Sequence, residues 1–120
     1  MKYLLSSVLL LSLVCVNLAE QYTTKYDNVD VDAILKNERL LKNYVDCVLD
    51  RGRCTKEGQE LRKRIPDAIA TDCAKCSAKQ KEMAGKIMAH LLQYKRNYWN
   101  EILEKYDTNG EFRKKYEYEE

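Results

Sequence analysis

Four cysteines carry the most specific spacing in this sequence. Six residues separate Cys47 from Cys54, eighteen lie between Cys54 and Cys73, and two more precede Cys76. Such a set can form disulfides, ligate zinc or act as a redox dithiol. Cys73-x2-Cys76 has the spacing of a zinc ligand pair, but Cys47-x6-Cys54 is wider than the usual knuckle. A thioredoxin-type dithiol needs a strand before the motif and a βαβ surround, and the sequence shows no strand alternation of useful length. Bridges are the expected chemistry. Four cysteines admit three pairings, and counting alone does not choose among them. Local geometry favours sequential pairing, which closes two short loops. A nested pairing would close longer loops and force two separate helices to meet at one point.

The bridge reading depends on compartment, and the start of the chain supplies one. Lys2 precedes an apolar run, Leu4 to Val16, and Asn17-Leu18-Ala19 ends on a small residue, which is the layout of a secretory signal peptide. The run falls short of the roughly 20 apolar residues of a membrane-spanning helix. Residues 1–19 are therefore expected to be removed, leaving a secreted domain of residues 20–120. Loss of Lys2 lowers the formal net charge from +2 to +1. Loss of Cys15 leaves an even four cysteines, as internal bridging in an oxidising compartment requires.

Little else could do chemistry. The single histidine, His90, has no second histidine or free thiol to work with. None of the acids sits in an apolar stretch that would raise its pKa. Asp107-x-Asn109-Gly110 resembles part of a calcium loop but lacks glycine at the sixth position, so a turn is expected. Arg62-Lys63-Arg64 is a short basic run in a nearly neutral chain, and reads as a solvated face rather than a nucleic-acid contact. Neither catalysis, a metal nor a cofactor is expected.

The apolar residues recur at helical spacing. Residues 20–29 read as an extended lead-in. Asp30 caps a short helix bearing Val31, Ile34 and Leu35 that runs to Asn37. Asn37 caps a second, with Leu40, Leu41, Tyr44, Val45 and Val48 on one face. Thr55 opens a third, with Leu61, Ile65, Ala68 and Ile69, and Pro66 predicts a kink or break within it. Ser77 and Gln80 form a capping box for the clearest helix, carrying Met83, Ala84, Ile87, Met88, Leu91 and Leu92. Tyr98, Trp99, Ile102, Leu103 and Tyr106 mark a fifth. After a turn at 107–110, Phe112 and Tyr116 fit a last short helix. The fold class is all-α, one domain of five or six short helices.

Function must then come from the apolar faces. Helices tied only by small local loops can splay and enclose a space. Flexible methionines and the tyrosines Tyr26, Tyr44, Tyr94 and Tyr98 would suit a long-chain ligand with one polar end. The same stripes would equally serve a filled core.

The cysteine spacing resembles the signature of the insect chemosensory proteins, the OS-D-like family. The resemblance extends through Tyr22-Thr-Thr-Lys-Tyr-Asp-Asn28 with Val29-Asp-Val-Asp32, then Asn37-x-Arg-Leu40, Tyr44-Val45-x-Cys47, Cys54-Thr-x-Glu-Gly58 and Pro66-Asp-Ala68. It continues through Cys73-x-Lys-Cys-Ser77 and Trp99 followed by Lys105-Tyr-Asp107. It departs at Arg96, where many members carry proline, and in the charged tail 113–120. It implies six helices around a hydrophobic channel, bridges Cys47–Cys54 and Cys73–Cys76, and non-covalent carriage of small lipophilic molecules such as odorants, pheromone components and fatty-acid-like chains. Periodicity together with the family's arrangement gives the expected ligand contacts as Tyr26, Tyr44, Val48, Ile65, Ile69, Met83, Ile87, Leu91, Tyr98, Trp99 and Leu103. The expected state is a monomer, without nucleic-acid partner or stable membrane insertion. The alternative is a secreted interaction or developmental factor whose pocket is incidental.

Overall fold

The computed structural model describes residues 21–117, so the expected signal segment and the last three residues lie outside the described residues. Among the described residues there are six helices and no strand. They are α1 (Val31–Lys36), α2 (Glu38–Val48), α3 (Lys56–Thr71), α4 (Ala78–Tyr94), α5 (Arg96–Tyr106) and α6 (Glu111–Glu117).

Most of the helices begin on a side-chain cap that satisfies otherwise orphaned amides. Asp30 accepts from the amide of Ala33 at 3.1 Å, Asn37 from Leu40 at 3.0 Å and Thr55 from Gly58 at 3.0 Å. At α4 the capping box is complete: Ser77 Oγ accepts from the Gln80 amide at 3.1 Å, and Gln80 Oε1 from the Ser77 amide at 2.9 Å. Helix α5, where Arg96 takes the family's proline position, has no side-chain cap. Helix α6 is capped from a distance. The buried Asp107 carboxylate accepts from the amides of Phe112 at 3.1 Å and Arg113 at 2.8 Å.

Of the expected kink or break at Pro66, the break does not occur; α3 runs from Lys56 to Thr71 with Pro66 inside it. Pro66 is exposed, so the carbonyl four residues earlier, on the same side of the helix, faces water and has a substitute partner.

Both disulfides are sequential, Cys47–Cys54 and Cys73–Cys76. The first joins the end of α2 to the residue before the cap of α3. The second lies in the turn between α3 and α4, which opens on two non-glycine residues in the left-handed region, Asp72 (φ 53°) and the bridged Cys73 (φ 64°).

Helix α2 packs on α1, α3 and α5; α4 packs on α1 and α5; and α3 also meets α5. Consecutive α3 and α4 are not among the pairs that pack along one another. A small core of Leu91, Trp99 and Leu103 seals one side, with Phe112 and Tyr116 of α6 packed on it. A second buried group, Leu41, Val45, Cys47 and Val48, lies on α2.

Candidate ligand cavity

Leu61, Ile65, Ala68 and Ile69 recur at three- and four-residue spacing along α3, with Glu57 and Glu60 at one end of the row, Arg64 between Leu61 and Ile65, and Asp72 at the other end. Spacing of that kind puts them on one face, and from Glu57 to Asp72 the row is about 22 Å long at 1.5 Å per residue. Because α4 does not close against this face, the row borders a cavity of about 660 Å³. Across it stand Met83, Ala84, Ile87, Met88 and Leu91 of α4. Leu41, Tyr44, Val45 and Val48 of α2 and Trp99, Ile102 and Leu103 of α5 complete the apolar walls. A more open groove of about 540 Å³ beside α6 is lined by polar residues such as Glu111, Lys114 and Lys115 as well as by Ile69 and Phe112.

Ten of the expected contact residues lie on the cavity wall: Tyr26, Tyr44, Val48, Ile65, Ile69, Met83, Ile87, Leu91, Trp99 and Leu103. Tyr98 does not. It packs against the Leu91–Trp99–Leu103 cluster instead, because one residue along a helix turns the side chain by about 100° and Trp99 takes the inward direction. Tyr94, also expected inside, is 64% exposed at the last turn of α4, its ring 5.2 Å from that of His90.

Residues 22–29 of the lead-in, expected to be extended with Tyr26 a ligand contact, form a strap along the cavity. Tyr22, Thr23, Tyr26, Asp27 and Val29 all line it. The Tyr22 amide donates to the carbonyl of Lys75, inside the Cys73–Cys76 ring, at 3.1 Å. Its hydroxyl donates to Asp67 Oδ2 at 2.6 Å, and its ring lies 5.1 Å beneath the Arg64 guanidinium. Burial, and then the Asp67 carboxylate, push the Tyr22 phenol up to about 12. Gln80 Nε2 donates to the Thr23 carbonyl at 2.7 Å and to Asp27 Oδ1 at 3.2 Å, and Ser77 Oγ donates to Asp27 Oδ2 at 3.3 Å. The cap of α4 thus also holds the strap.

Helix α6 closes a further part of the wall through Phe112 and Tyr116. Tyr116 and Lys115 both donate to the Asp72 carboxylate, and the Lys115 bond, followed by that from Tyr116, holds Asp72 below its usual range. The basic run 62–64 divides between surface and cavity. Arg62 pairs with Asp50 at 3.3 Å and Lys63 is exposed, but Arg64 lines the cavity and pairs with Glu60 at 2.7 Å. Among the described residues no group of three or more histidines, cysteines, aspartates or glutamates could hold a metal ion, and no helix is long and apolar enough to cross a membrane.

Residues 22–114 match the insect pheromone-binding family, A10/OS-D. The chain belongs to that family. It is 46% identical over 116 residues to ejaculatory bulb-specific protein 3 of Drosophila melanogaster, spanning 97% of this chain and 91% of that protein. Among solved structures, a chemosensory protein in complex with bromo-dodecanol superposes with a TM-score of 0.80 at 45% identity, covering 83% of this chain and all of that one. Antennal chemosensory protein A6 of the moth Mamestra brassicae gives 0.68 at 44% identity, over 74% of this chain and 87% of its own. The six-helix, two-disulfide architecture of this OS-D member is the one the sequence resemblance implies.

Proposed function

We propose that this OS-D family chain is a secreted carrier that encloses one long-chain hydrophobic molecule, non-covalently, between α3 and α4. Odorants, pheromone components and fatty-acid-like chains are the candidate cargo classes. The observation that carries this reading is the 660 Å³ cavity, lined mainly by aliphatic side chains of α2, α3, α4 and α5, with Glu57, Glu60, Arg64 and Asp72 as polar groups along its α3 wall. The bromo-dodecanol held by a structural relative at 45% identity supports the same ligand chemistry. Each methylene transferred from water contributes about 0.8 kcal/mol, so a twelve-carbon chain brings roughly 10 kcal/mol. Ordering and association costs subtract from this, which makes micromolar affinity, about −8 kcal/mol, the expectation. The proposed contacts are the ten wall residues named above, with Tyr22, Leu61, Ala84 and Met88 added. The signal-like segment 1–19 and the two bridges support export, and the protein is proposed to act as a monomer.

Fluorescence of N-phenyl-1-naphthylamine and of Trp99, titrated with long-chain alcohols, tests the proposal. Binding by the mature protein that is lost in Ala84→Phe, with helical circular dichroism retained, is the expected result. If the folded protein takes up neither probe nor alcohol, the carrier reading fails and the interaction-factor alternative stands.

A further inference from the structure

Trp99 lines the cavity and is 2% exposed, yet its indole Nε1 is buried with no hydrogen-bond partner among the described residues. Two other buried atoms without a hydrogen bond, Arg113 Nε and Glu117 Oε2, stand 3.0 Å apart as an ion pair. The indole has no such compensation. Resting on the carrier reading, we infer that Trp99 is a polar contact for the cargo. Its N–H donates to an oxygen of the bound molecule, whether hydroxyl, ester or carboxyl, and so favours oxygen-bearing chains over plain hydrocarbons.

A buried tryptophan ordinarily pairs its N–H, because a donor withdrawn from water without an acceptor bears the full cost of its lost hydration. The side chains packed around this one include Leu91, Leu103, Ile87, Met88 and Phe112, whose ring lies 6.3 Å away. None of these five carries an oxygen. The proposed cargo classes supply what is missing, an acceptor oxygen on an otherwise apolar chain, and a bond made in such dry surroundings is stronger than one made in water.

The wall tyrosines Tyr26 and Tyr44 are half-buried, so water serves their hydroxyls when no cargo is bound. Water does not reach Nε1 as the side chains stand. A cargo oxygen arrives there by displacing an apolar neighbour. Met88 packs on the same cluster and lines the same cavity, and its unbranched thioether chain repacks easily.

Trp99 is the only tryptophan in the chain, so the protein has a single indole N–H resonance and a single site for a tryptophan analogue. Proton–nitrogen correlation spectra of the protein filled in turn with 1-dodecanol, dodecyl acetate and dodecane read the bond. Displacement of N-phenyl-1-naphthylamine shows that each compound has entered. The indole proton is expected to move downfield with the alcohol and the acetate but not with dodecane. Benzothienylalanine at position 99 keeps the ring shape and replaces N–H by sulfur. It is expected to weaken binding of 1-dodecanol about fivefold and to leave dodecane binding unchanged. An indole proton that dodecane moves as far, or that alcohol and acetate leave in place, overturns the inference while leaving the carrier reading intact. An analogue that binds the alcohol as well as the natural protein does the same. Failure of all three compounds to displace the probe defeats the carrier reading itself, and this inference with it.

Discussion

The hydroxyl of Tyr22 donates a 2.6 Å hydrogen bond to Oδ2 of Asp67 across 45 residues of sequence, tying the strap to the latter half of α3. Tyr22 is buried while Asp67 is partly exposed, so the bond is part-buried and removing its donor costs an ordinary hydrogen bond's share of stability.

The unfolded chain releases the tyrosine proton near pH 10, whereas folded Tyr22 holds it to about 12. Stability present below pH 10 therefore falls as pH rises through that interval, because the unfolded state binds fewer protons. Tyr22 accounts for up to about 3 kcal/mol of this decline. Tyr22→Phe is expected to cost about 1 kcal/mol at neutral pH and to show a shallower alkaline decline, measured by urea denaturation at stepped pH. Equal alkaline slopes in the two proteins would refute the assignment.

Asp72 behaves in the opposite sense. Its folded pKa is held below 3.8, chiefly by Lys115 and then by Tyr116, so its contribution is complete above that value and drains away as pH falls below it. Amide exchange in residues 111–117 should accelerate in acid ahead of exchange in α4. Asp72→Asn, which tolerates the left-handed backbone, should make that exchange fast already at neutral pH and remove its acid dependence.

Removing the Cys47–Cys54 bridge as a double alanine variant should cost about 2.5 kcal/mol for its short loop, with an added cavity cost because Cys47 is 1% exposed. Removing Cys73–Cys76 should cost about 2 kcal/mol by the same formula. The second variant should also release ligand faster, since the ring carbonyl of Lys75 anchors Tyr22. Urea midpoints and stopped-flow dissociation separate the two effects.

Two glycines inside helices should respond oppositely to alanine. A Cβ at Gly85 would meet nothing within 4 Å, so Gly85→Ala should stabilise by about 0.5–1 kcal/mol through helix propensity. At Gly58 it would lie 3.1 Å from Cys47 Sγ and 3.3 Å from Thr55 Oγ1, and Gly58→Ala should lower the melting temperature despite the same propensity gain.

What could be read from the sequence was local. Asn37, Thr55 and the Ser77–Gln80 pair announce helix starts because a cap bonds an amide three residues on, within one turn. The stripes on α2, α3 and α4 likewise report a face. Beyond Tyr26 the strap leaves no sign in the sequence, because its partners, Asp67, Lys75 and Gln80, lie some 45 to 57 residues away and leave no periodic trace. Tyr94 and Tyr98 look inward by composition, yet a tyrosine is content at a boundary, and direction is decided by where α4 ends and which way Trp99 points. Asp107 read as a turn residue; its burial depends on α6 folding back over α5. Pro66 does not end α3, because the cost of a proline depends on whether water can reach the carbonyl it strands.

Helices α3 and α4 meet through the reversal at Asp72 and Cys73 and then part. They stand like the blades of a pair of tongs, with a short pivot at 72–77 that the Cys73–Cys76 ring locks. A small change in torsion there is multiplied along 16- and 17-residue arms. The girth of what the tongs can grip is therefore set at the pivot more than at the jaws. Relatives that share the wall residues but differ within this pivot should differ in cargo width.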